Sequence, residues 1–121
     1  MNAIHTMISL NCYTSTLLTK CFVDDFKNRY KNRKSRSLVI QNCAGASIAP
    51  TPYLQTYSAT KIFNEFMAMG LYHELKSEGI DVMGIKSFGI KNEDKAGDKS
   101  MFDKFLNVTP EKCIQTSLDK C

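Results

Sequence analysis

Tyr57 and Lys61 are the pair in these 121 residues whose types and spacing suggest proton chemistry. A free phenol titrates at about 10. An ammonium held beside it favours the phenolate and brings that value down. The phenol can then trade a proton with a carbonyl or hydroxyl oxygen near neutral pH. The i, i+4 spacing puts both side chains on one face of a helix. Surface helices produce a bare Y-x-x-x-K by chance, so the surrounding chain must carry the argument.

Three elements would position the pair. Leu38, Val39 and Ile40 form a short β-branched apolar run, as in a buried parallel strand. Gly45, Ser47, Pro50, Thr51 and Pro52 then break regular structure. From Tyr57 to about Ser77 the chain reads as a long helix, apolar over much of its circumference and in need of cover on more than one side. Glu78-Gly79 ends it, with Gly79 suited to a left-handed C-terminal position. Ile80, Val82, Met83 and Ile85 give a second strand. Strand, crossover helix and strand make one βαβ unit.

Upstream, Ile8 to Tyr30 has a helical pattern, with Leu18, Phe22, Phe26 and Tyr30 in one apolar stripe. Lys27 to Arg36 carries six positive charges and no acid, and reads as a solvated loop. Subtracting those six from the net +4 leaves −2 for the other residues, so the basicity is local. Tyr30 is the only aromatic in the run. The stacking platform of single-strand binders is thus missing, and no nucleic-acid partner is expected; an anionic membrane surface is the competing contact. Downstream, residues 92–100 read as a loop. Thr109 and Pro110 start a last helix as N-cap and first residue.

The chain is long enough for one domain, and no apolar run approaches the roughly 20 residues that span a bilayer. The N-terminus has no basic flank and no clean apolar core of the kind a signal peptide shows. Five cysteines at spacings unlike those of a zinc site point to unpaired thiols in a reducing, intracellular compartment. No metal is expected.

Tyr57-Ser58-Ala59-Thr60-Lys61, behind an apolar strand, a Gly/Ser/Pro loop and Pro50-Thr51-Pro52, resembles the short-chain dehydrogenase/reductase family. The similarity is to its branch of 17β-hydroxysteroid dehydrogenases and 3-oxoacyl-CoA reductases. It covers about Ile8 to Lys120 and only the second half of the family fold. The implied fold is α/β, a partial Rossmann-like fold of one βαβ unit with flanking helices, forming a single partial domain over 1–121. The resemblance makes Tyr57 the general acid/base and gives Lys61 the task of tuning it and holding the nicotinamide ribose. It matches Asn11 to a helix asparagine that supports proton relay. It places cofactor contacts on Tyr57, Lys61, Ser87, Gly89 and Ile90, with NADP(H) as cofactor. Substrates would be carbonyls or secondary alcohols, long-chain 3-oxoacyl-CoA or steroid among them. Partners would be a second copy or another chain, docked through helices 8–30 and 57–77. The branch also has membrane-bound members, which adds the endoplasmic reticulum as a location.

The chain departs from the family pattern in three places. The family serine lies thirteen residues before its tyrosine, and here that position is Ala44. Cys43 would point to the opposite strand face, and Ser47 would serve only in a remodelled loop. Ser87 and Asn92 stand where the family carries a proline and a threonine. None of the six glycines makes the fingerprint that lets backbone approach a pyrophosphate. Two readings follow: a weak oxidoreductase, or a non-catalytic remnant that pairs through its two apolar helices. Two strands alone make a marginal sheet, so the sequence reads as a piece of a larger fold.

Overall fold

Period-two alternation along two eight-residue stretches sets the frame. In β1, Ser37–Ala44, the side chains of Ser37, Gln41 and Cys43 turn inward, while Leu38, Ile40 and Asn42 face out. In β2, Ile80–Ser87, Ile80 and Val82 are buried. The two strands form a parallel two-stranded sheet, joined by α3, Gln55–Leu75. The fold is thus α/β with one βαβ unit, as expected. The computed structural model describes residues 2–90 and 107–119.

Two strands bury little by themselves, so the core forms where α3 and the upstream helices meet the sheet. Ala68, Leu75, Ile80 and Val82 are its centre, with Val23, Phe26, Val39, Leu71 and Tyr72 packed against it. Val23 and Phe26 come from α2, Thr14–Arg33, which follows α1, Asn2–Ile8, and a π-helical turn at Ser9–Tyr13. The expected upstream stripe therefore divides. Phe26 and Tyr30 turn toward the sheet, whereas Leu18 and Phe22 stay exposed.

The basic run is not a loop. Lys27 to Arg33 form the last turns of α2, which closes on Lys34 in the left-handed conformation at φ 55, its N–H bonded to the Tyr30 carbonyl. Cations suit a helix C-terminus, and these have partners besides water. Lys27 Nζ lies 3.7 Å from Glu78, and Arg36 makes a two-pronged pair with Asp81 at 2.6 and 2.8 Å. Lys34 and Arg36 also lie 5.5 and 6.0 Å from the Tyr30 ring centre.

Tyr30 in turn explains Gly79. After α3 a short 3₁₀ turn, Lys76–Glu78, ends on Gly79 at φ +78. The left-handed backbone favours glycine. A Cβ there would also overlap the Tyr30 ring. The Gly79 carbonyl then accepts the Ser37 N–H at 3.1 Å, which ties the end of the crossover to the start of β1.

The chain divides into two units, residues 1–85 and 86–121, and each stands by itself below. In the second, β3, Gly89–Ile90, pairs parallel with β4, Asn107–Val108, in the register Gly89↔Asn107. The sequence showed no strand at either place. Thr109 caps α4, Pro110–Leu118, by accepting the Lys112 N–H, with Pro110 at the first position. The expected loop over 92–100, with Asn92, lies outside the described residues.

Candidate active site

The site grows from the junction of β1 and α3. β1 runs further than its apolar core suggested and carries Cys43 and Ala44 at its end, 1% and 6% exposed. A 3₁₀ turn, Gly45–Ser47, and a loop follow. That loop closes with the Leu54 N–H on the Thr51 carbonyl at 3.0 Å and holds the outward-facing Tyr53 at φ 65. It delivers the chain into α3, where Tyr57 is half-buried in the first turn and Lys61, one turn on, is 7% exposed.

Lys61 Nζ donates to the Asn42 carbonyl at 2.9 Å and lies 5.6 Å from the Tyr57 ring centre. The strand backbone thus aims the ammonium at the tyrosine. Burial pulls the Lys61 ammonium below its ordinary value, because the charged form loses water. The thiols of Cys43 and Cys12 act against that shift. Burial likewise raises the Cys12 thiol, with Lys61 opposing.

Asn11 joins the pair from the π-helical turn. Its Nδ2 donates to Thr60 Oγ1 at 2.9 Å, and that hydroxyl donates to the Tyr57 carbonyl at 2.8 Å. The π turn has local support, since Thr14 gives both its N–H and its hydroxyl to the Ser9 carbonyl. Such turns insert one residue into a helix and recur at functional sites.

Neither substitute for the missing serine is available in this geometry. Cys43 lies toward Gly84, where an added Cβ would come within 3.2 Å of its sulfur and 3.3 Å of the Ala68 Cβ. Ser47 is buried and donates to Glu65 Oε2 at 2.6 Å, so its proton is committed to a carboxylate. Ser87, Gly89 and Ile90 belong to the second unit. The structure therefore brings together Tyr57, Lys61 and Asn11. It adds Thr60 and the Asn42 carbonyl, neither of which sequence reasoning singled out. Thr60 was within the motif but has no distinctive type, and a backbone acceptor has no type at all.

The pair at one end of a parallel strand can give and take a proton at an oxygen set against the phenol. Lys61 keeps ammonium protons beyond the one given to Asn42, so it can also hold hydroxyls such as those of a ribose. The chain thus fits the reactive end of a nicotinamide cofactor. Among the described residues of the first unit, no glycine-rich turn between a strand and a helix fits its phosphates.

No family model matches the chain. It is 31% identical over 119 residues to very-long-chain 3-oxoacyl-CoA reductase-A of Danio rerio, covering 98% of this chain and 34% of that one. It is 28% identical over 115 residues to very-long-chain 3-oxoacyl-CoA reductase of Anas platyrhynchos, covering 95% of this chain and 34% of that one. The chain thus spans about a third of the length of the curated relatives it matches. Among solved structures, a short-chain dehydrogenase from Sphingobium yanoikuyae in complex with NADPH superposes at a TM-score of 0.80 with 22% identity, over 98% of this chain and 45% of that one. A bulky-bulky ketone specific alcohol dehydrogenase from Comamonas testosteroni superposes at 0.68 with 20% identity, over 99% of this chain and 53% of that one.

Proposed function

We propose, from the premise that this chain belongs as a partial chain to the short-chain dehydrogenase/reductase family, that it carries the proton-transfer side of an NADP(H)-dependent carbonyl reductase. The observation that carries this reading is the buried Lys61, held by the Asn42 carbonyl and directed at Tyr57. Tyr57 gives its phenolic proton to the substrate oxygen as that oxygen gains charge, and takes it back in the oxidative direction. Lys61 stabilises the phenolate that results and holds the nicotinamide ribose. Asn11 steadies the turn between them. The bound cofactor supplies the hydride. The names of the relatives favour a long-chain 3-oxoacyl-CoA as substrate; a steroid is the second class, implied by the branch resemblance alone.

Ala44 makes that activity weak, because the substrate oxygen lacks one hydrogen-bond donor. Binding of NADPH by the chain alone is also expected to be poor. The test is complementation with the N-terminal half of a working relative, following NADPH consumption with a ketone. Ala44→Ser should raise the rate by roughly ten- to a thousand-fold, the range for one such donor. Tyr57→Phe should abolish it. An unchanged rate in Tyr57→Phe would overturn the reading.

A second reading rests on a different observation: Phe63, Phe66 and Met69 on α3, with Leu18 and Phe22 on α2, are all exposed. In this reading the chain is an interaction subunit that pairs through these helices with a second copy or an intact relative.

A further inference from the structure

We propose that Thr60 is a positioning residue, through which the π-helical turn at Asn11 fixes the first turn of α3 and with it the Tyr57 hydroxyl. The inference rests on the reading of Tyr57 as the proton donor. The role would need a threonine or serine, since both bonds run through one hydroxyl. Asn11 Nδ2 donates to that oxygen at 2.9 Å, and the oxygen passes its own proton to the Tyr57 carbonyl at 2.8 Å. Asn11 and Thr60 are 49 apart in sequence, so the link crosses between elements.

Physical reasons single this link out. The first turn of a helix frays most easily, and no side chain caps α3 at Leu54. Tyr57 sits two residues into that turn. Lys61 is anchored independently by the Asn42 carbonyl, whereas the Tyr57 backbone is tied to the upstream helix through Thr60. Thr60 is 4% exposed, which keeps water from competing for either bond. The π turn supplies the other anchor, because it carries Asn11, whose amide reaches Thr60 on α3. Without the hydroxyl, the Asn11 amide and the Tyr57 carbonyl would no longer be joined. The phenol would then sample positions in which proton transfer is slow.

The test has two arms. In the full chain alone, hydrogen exchange at the Ser58 to Lys61 amides, the first of α3 with helical acceptors, should quicken in Thr60→Val and in Asn11→Ala, while Thr60→Ser stays like the parent. In the complemented enzyme, Thr60→Val should lower kcat about ten- to a hundred-fold with the KM for the ketone unchanged. Thr60→Ser should restore it. Asn11→Ala combined with Thr60→Val should be no slower than the worse single variant, because both cut one link. Unchanged exchange and kcat in Thr60→Val would overturn the proposal, as would failure of serine to rescue or multiplying losses in the double variant. Should Tyr57→Phe leave the rate unchanged, the catalytic reading fails, and the exchange arm still decides whether the tether exists.

Discussion

Lys61 shows how one buried cation ties the site to stability. Its neighbours are a backbone carbonyl, a phenol ring and two thiols, and the loss of water on burial outweighs what the thiols give back. Burial therefore holds its titration below the ordinary 10.5. Below the folded value both states are charged, and the folded state bears the desolvation cost. Between the folded value and 10.5 the unfolded chain holds more protons, so stability rises with pH across that window. Urea midpoints of the parent should thus climb relative to those of Lys61→Met as pH is raised through the alkaline range. Parallel pH profiles would show that the ammonium is better hydrated than its burial implies. At this scale Tyr57 and Lys61 stood out by type and spacing, whereas Asn11 was placed only by the family resemblance. Ser47 was legible only as a hydroxyl of uncertain use, since its partner Glu65 lies 18 residues away.

Between residue and fold, two glycines of one crossover separate conformation from propensity. Gly79 is at φ +78 with the Tyr30 ring against it, whereas Gly70 sits mid-helix with nothing within 4 Å of an added Cβ. Gly70→Ala should stabilise by about 0.5–1 kcal/mol, the helix-propensity gain. Gly79→Ala should destabilise by more than about 1 kcal/mol, since left-handed alanine alone costs that much before the ring is displaced. Chemical denaturation of the two variants checks both signs, and a stable Gly79→Ala would mean that Tyr30 moves aside freely. The turn at Gly79 was readable because glycine after an apolar helix has one common use. The helical state of Lys27–Arg33 was hidden. Its charges look solvated in sequence, and their helical use appears only once Tyr30 has Gly79 to pack on. The short β3–β4 pair, two residues each, is below the length at which any period can be read.

For the molecule as a whole, the thin sheet and the bare helices pose one physical problem. Parallel sheets are ordinarily covered on both faces, yet Leu38 and Ile40 are 42% and 47% exposed on the outer face of β1. On α3, Phe63, Phe66 and Met69 follow one another at three-residue steps, the spacing of neighbours on a helix surface. Phe66 is 68% exposed, and burying such a side chain contributes about 1.5–3 kcal/mol. A patch of this kind favours association, and the chain spans about a third of the length of its curated relatives. The sequence made the apolar helices legible, but it could not show which of their faces the short sheet would leave uncovered. We expect the parent to associate in solution through α2 and α3. Phe66→Asp should then lower its apparent mass in light scattering or raise its solubility, because a carboxylate in an apolar contact must be desolvated without a partner. The same substitution should leave the fold intact, since Phe66 lies outside the core of Ala68, Leu75, Ile80 and Val82. Circular dichroism of the variant separates the two effects. A parent that is already a soluble monomer, unchanged by Phe66→Asp, would rule out pairing through this face.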